Sequence, residues 1–140
     1  MSRTKQPNGI LETALYVDDL DAAEGFYGGL VKLERVSRDG NRSVFYRCGR
    51  GMLLIFNPDE TRISHGEGMP VPVHGASGAG HVCFSASNEE IDTWRNRFQA
   101  AGVEIERDFK WPNGGRSLYV RDPAGNSIEF AEPQMWGFKP

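Results

Sequence analysis

The sequence predicts an α+β fold made of two copies of a βαβββ unit, and three observations predict it. Short runs with strand character, separated by turn residues, outnumber helical stretches; the chain carries 17 Gly and 8 Pro. Only two stretches place apolar residues at helical spacing. Each of these follows one strand-like run and precedes three, so the order of elements repeats although the residues do not.

The elements justify this in turn. Residues 1–9 are polar and end in Pro-Asn-Gly, which reads as a loose leader. Ile10 to Val17 mixes β-branched, aromatic and aliphatic residues and reads as a strand. Asp18-Asp19 offers N-caps, and Leu20, Ala23, Phe26, Tyr27 and Leu30 recur at helical spacing, predicting a helix over 20–30. Three strands follow: Leu33 to Arg38, Ser43 to Cys48 and Met52 to Asn57. The turns between them are Asp39-Gly40-Asn41 and Gly49-Arg50-Gly51. The first module therefore spans 10–57. Residues 58–79, with four Gly and three Pro and no periodicity, form a linker or functional loop.

The second module spans 80–132. Gly80 to Ser85 is its first strand. Ser87 and Glu90 fit a capping box. Ile91, Trp94, Phe98 and Ala101 form the helical stripe, and Gly102 ends the helix. Val103 to Phe109, Ser117 to Arg121 and Ser127 to Ala131 complete the unit, with Asp122-Pro-Ala-Gly125 turning between the last two. Residues 133–140 form a tail, and all of this fits one structural domain.

Composition narrows the function. With 16 basic and 19 acidic residues the net charge is −3. That balance lacks the positive excess a nucleic-acid partner requires. The longest apolar run, Met52 to Phe56, is far too short to span a bilayer, and the leader has no apolar signal core. Two widely spaced cysteines, Cys48 and Cys83, make no disulfide framework. A cytoplasmic protein without a nucleic-acid partner is expected.

Strand alternation sorts the polar side chains. Glu12, Ala14 and Tyr16 share the face of the first strand turned away from the helix. His81, Cys83 and Ser85 share one face of the fifth strand, and Ser127, Glu129 and Ala131 one face of the eighth. Glu129, in an otherwise apolar strand, is costly unless paired or bound to a cation. If the two sheets curve around a common cavity, Glu12, His81 and Glu129 converge on a divalent metal. One imidazole with two carboxylates suits Fe, Mn, Ni or Zn, and three protein ligands leave positions open for substrate. His65 and His74 lie in the long loop, and His74 is placed to act as an acid or base near the site's mouth. Arg116, at a strand start after Gly114-Gly115, could hold an anionic substrate group. Trp111 and Trp136 are candidate pocket walls, and Cys83 a pocket thiol.

Three stretches carry a family likeness: Glu12-Thr-Ala-Leu-Tyr-Val-Asp-Asp-Leu with Glu24-Gly-Phe-Tyr, Gly80-His-Val-Cys-Phe, and Ser117-Leu-Tyr-Val-Arg-Asp-Pro-Ala-Gly-Asn-Ser-Ile-Glu129. They resemble the vicinal oxygen chelate superfamily, which includes glyoxalase I, bleomycin-resistance proteins, fosfomycin-resistance thiol transferases and extradiol dioxygenases. The likeness covers roughly 10–132. It implies a cupped, half-open mixed β-sheet barrel with helices outside, and a homodimer whose sites combine modules from two chains. It implies metal ligation by Glu12, His81 and Glu129, with Glu12 standing where many members have His. A fourth ligand position falls near Ile55, which cannot bind metal. Tyr119 matches a tyrosine that reaches substrate in the thiol transferases.

The implied function is a metal-dependent enzyme that chelates substrate through two adjacent oxygens and stabilises an enolate- or phenolate-like intermediate. Three retained ligands lean toward a ring-cleaving dioxygenase. The alternatives are a glyoxalase-like lyase or isomerase and a metal-free small-molecule (antibiotic) binding protein. The segment Lys110–Gly114 shows no ion- or phosphonate-binding pattern, which disfavours a thiol transferase.

Overall fold

The computed structural model describes residues 5–64 and 68–139. His65 lies outside the described residues. Eight strands form two four-stranded mixed sheets. The first holds β1 (Glu12–Tyr16), β2 (Glu34–Asp39), β3 (Ser43–Cys48) and β4 (Gly51–Phe56) in the order β1-β4-β3-β2. The second holds β5 (His81–Ser85), β6 (Arg107–Lys110), β7 (Arg116–Arg121) and β8 (Ser127–Ala131) in the order β5-β8-β7-β6. In each sheet the first strand pairs parallel with the last, and the other pairs are antiparallel. A parallel pair needs a long crossover, and a helix after β1 and after β5 supplies it. The repeat of topology is the βαβββ duplication. Neither sheet closes into a barrel, and each leaves one face open.

Helix α3 (Asn88–Ala100) begins at the expected capping box: Ser87 Oγ accepts from the Glu90 amide, and the Glu90 carboxylate accepts from the Ser87 amide. Gly102, at φ 78°, ends it. The Val103 amide then donates to Phe98 O and the Gly102 amide to Gln99 O, a Schellman closure. Val103 is thereby used to terminate the helix, and the strand expected from Val103 begins at Arg107, just after the Glu106 amide bonds to Tyr119 O.

The helix expected over 20–30 is α-helical only at α1 (Leu20–Ala23), capped by Asp19; Glu24–Leu30 continues in wider π turns. Gly25, Gly28 and Gly29 weaken the regular helix there, and the wider turn keeps the adjacent Phe26 and Tyr27 both buried. The long loop starts with a short helix, α2 (Pro58–Thr61), capped by Asn57.

One apolar core draws on both modules. Phe26 stacks on Phe98 at 5.7 Å, and Phe98 in turn packs against Phe130. The modules are also joined by polar contacts around the turn after β7. Buried Asp122 accepts from Tyr27 Oη at 2.6 Å and from the Asn126 side chain at 3.0 Å. Asn126 Nδ2 donates to Tyr16 O, and Asn126 Oδ1 accepts from the Gly80 amide. These bonds set where β5 begins, and hence the height of His81.

Candidate metal and substrate site

The strand register gives the open face of the second sheet. His81 lies beside Ser127, Cys83 beside Glu129, Tyr119 beside Glu129, and Ser117 beside Ala131. Paired residues share a face, so His81, Cys83, Ser117, Tyr119 and Glu129 sit on one surface, opposite the helix side where Leu118, Val120, Ile128 and Phe130 are buried.

Glu129 is 4% exposed, and a carboxylate so buried needs partners. Its Oε2 accepts from the Ser117 hydroxyl at 2.6 Å. Its Oε1 lies 3.3 Å from His81 Nε2. The other ring nitrogen of His81, Nδ1, lies 3.0 Å from the Ser127 carbonyl oxygen. A carbonyl only accepts, so Nδ1 carries the proton. In the neutral ring Nε2 then presents a lone pair to a carboxylate oxygen, and only a proton or a cation between them satisfies both. A histidine that donates one N–H to a backbone carbonyl while its other nitrogen faces outward is the usual state of a metal-ligating imidazole. Two donors each about 2.1 Å from one ion stand roughly 3.0–3.5 Å apart, so this pair fits a divalent cation.

Two neighbours keep their protons. Loss of solvation pushes the Tyr119 hydroxyl up to about 12, with hydrogen bonding to Glu129 adding to the effect. Loss of solvation, followed by the Glu129 charge, pushes the Cys83 thiol up to about 12 as well. At neutral pH Tyr119 is a donor and Cys83 is not a thiolate nucleophile. Phe109 stacks on Tyr119 at 6.0 Å and packs edge-on to Trp111, making an aromatic rim. The Trp111 indole N–H donates to Ser117 Oγ at 2.8 Å.

The other expected residues lie elsewhere. Glu12 is exposed on the open face of the first sheet. Among the described residues of one chain, no three His, Cys, Asp or Glu side chains gather as a metal-binding group, so Glu12 does not complete the His81–Glu129 pair within the chain. His74 also belongs to the first sheet: its Nδ1 lies 2.6 Å from Tyr16 Oη, and its ring packs edge-on to Phe56. Arg116 differs from the expectation of a substrate anchor. It lies on the helix side of β7, where its guanidinium donates to Asp108, Asp92 and Asn88. Trp136 is exposed at 75% and walls nothing.

The register also corrects the fourth position. Glu129 pairs with Cys83, two residues after His81; its counterpart pairs with Ala14, two residues after Glu12, and is Leu54. Ile55 faces the core at 0% exposure. Leu54 offers no ligand either. Ser117 was overlooked in the sequence, although alternation from Tyr119 places it on the same face.

Residues 9–130 match the model of the Glyoxalase/Bleomycin resistance protein/Dioxygenase superfamily. No protein of curated function matches the sequence. Among solved structures, a lactoylglutathione lyase from Agrobacterium tumefaciens is 49% identical with a TM-score of 0.91, the match covering 96% of this chain and 100% of that one. A glyoxalase/bleomycin resistance protein/dioxygenase from Nocardioides is 25% identical with a TM-score of 0.69, covering 98% and 90%. TioX from Micromonospora sp. ML1, at 22% identity, 89% and 98% coverage and a TM-score of 0.68, shares the fold. The repeated βαβββ topology, the His81–Glu129 pair and the match over nearly the whole chain agree: the chain belongs to the glyoxalase/bleomycin resistance protein/dioxygenase superfamily.

Proposed function

We propose that this chain is a divalent-metal-dependent lyase of the glyoxalase type, acting on a small molecule that presents two adjacent oxygens. The observation that carries the reading is His81 Nε2 standing 3.3 Å from Glu129 Oε1, with Nδ1 turned to the Ser127 carbonyl oxygen at 3.0 Å. The 49% identity to a lactoylglutathione lyase supports the lyase class and a thiol-adduct substrate of the lactoylglutathione kind.

In this reading His81 and Glu129 are two protein ligands of the metal. Glu12, exposed on the other sheet, is the third, supplied by the partner chain of a cytoplasmic homodimer. The bound cation, Ni, Zn, Mn or Fe, would supply Lewis acidity at the substrate oxygens. Tyr119 keeps its proton and is the hydrogen-bond donor beside Glu129, available to a substrate oxygen once a cation occupies the carboxylate. Cys83, uncharged, forms part of the floor. Phe109 and Trp111 exclude water along one side. His74 and Tyr16 are the proton carriers of the first sheet's face. Arg116, held by three acceptors, has no substrate role.

Metal-free protein reconstituted separately with Ni²⁺, Zn²⁺, Mn²⁺ and Fe²⁺ tests this, with thioester formation from a 2-oxoaldehyde and glutathione followed by ultraviolet absorbance. The expected result is turnover with at least one metal, lost in His81→Ala. No turnover with any metal, or turnover unchanged in metal-free protein, contradicts the lyase reading.

A further inference from the structure

Trp111, Ser117 and Glu129 form a directional hydrogen-bond chain beneath the open face. The indole N–H of Trp111 can only donate, and it donates to Ser117 Oγ at 2.8 Å. The single Ser117 proton is then free to go to one acceptor, and Glu129 Oε2 stands 2.6 Å away. The thioether of Met135, at 3.8 Å, is a much weaker competitor. Ser117 is fully buried and has no water to turn to. The carboxylate therefore has Oε2 held by Ser117 and Oε1 turned to His81, with the Tyr119 hydroxyl and the Cys83 thiol also in hydrogen-bonding reach of it on the open face.

From this geometry we infer that Ser117 and Trp111 are positioning residues: they reserve Oε2 and leave Glu129 to ligate the metal through Oε1 alone. The inference rests on the metal reading proposed above. Without Ser117 the carboxylate is free to rotate or to offer both oxygens. Partners of this kind beyond the ligands typically control metal affinity by about 10–100-fold.

Co²⁺ alone, titrated into metal-free protein and followed by its visible d–d absorption, supplies the first test. Ser117→Ala is expected to weaken Co²⁺ binding about 10–100-fold and to change the band shape as coordination changes. Trp111→Phe, which leaves the Ser117 hydroxyl in place but unanchored, should shift affinity in the same direction by less. The second test needs no metal and uses an isosteric change at the buried carboxylate. In ¹⁵N-labelled protein the Trp111 indole N–H resonance, assigned by Trp111→Phe, should move when Glu129 is changed to Gln, because the weaker acceptor depolarises Ser117. Unchanged Co²⁺ affinity and spectrum in Ser117→Ala, or an indole resonance indifferent to Glu129→Gln, overturns this inference while leaving the metal reading intact. A wild-type protein that takes up no Co²⁺ overturns the metal reading itself, and the ligand-orienting role with it.

Discussion

Residue 129 shows how a single buried charge organises a surface. Its carboxylate is tolerable at 4% exposure only because Ser117, His81 and Tyr119 surround it. The cost of an acid in an apolar strand made Glu129 legible in the sequence; its Ser117 partner was legible only by counting alternate residues back from Tyr119. The same parity argues against Arg116 as a substrate anchor. Arg116 is one residue from Ser117, so it falls on the helix side with Leu118 and Val120, where Asp108 and Asp92 hold it. Arg116→Ala should therefore cost roughly 1–2 kcal/mol in urea unfolding, between the values for exposed and buried ion pairs, because Arg116 and Asp108 are only partly buried. It should leave metal uptake unchanged. The hydrogen bond from Arg116 holds the Asp108 carboxyl below its usual range. The stabilisation from this depressed group is present above the unfolded value, about 3.9, and is lost as pH falls through the lower folded value. Acid unfolding of Asp108→Asn should accordingly be less steep than that of the wild type across that window.

At the scale of elements, what was readable was local. The capping box of α3 lies within four residues, and it starts the helix where the sequence places it. Ser87→Ala should cost about 1 kcal/mol, measured by urea unfolding. The π turns of Glu24–Leu30 were not readable, because Phe26, Tyr27 and Leu30 satisfy an α-helical stripe equally well. The late start of β6 was hidden by the Schellman closure that holds Val103. Likewise, Met52 to Phe56 has no alternation, so nothing in the sequence decided whether Leu54 or Ile55 turns to the open face. The turn after β7 has a second role its Pro and Gly did not announce. Through Tyr27 and Asn126 it fastens the second module to the first. Tyr27→Phe should destabilise by about 1–3 kcal/mol, since Asp122 Oδ2 is then left with one donor in a buried setting. A fall in urea midpoint with an unchanged slope checks this.

Across the whole molecule, one core holds two sheets whose open faces differ in chemistry. The second face is polar around His81 and Glu129. The first carries Leu54, Phe45 and Phe56 with His74 on Tyr16, and Glu12 lies at its other end. The duplication was visible in element order, and the shared face of His81 and Glu129 in strand parity. The distance between Glu12 and the pair was not, because no spacing along the chain records how two modules, or two chains, face each other. The proposed dimer resolves this by placing Glu12 of one chain over His81 and Glu129 of the other. The central claim, one divalent cation held by these three side chains, is tested most directly by the metal content of protein purified without chelator and supplemented with Ni, Zn, Mn and Fe. The account predicts one ion per chain in the wild type, lost in Glu129→Ala and in Glu12→Ala while both variants stay folded. Wild-type protein that holds no metal, or a Glu129→Ala variant that retains a full equivalent, would contradict it.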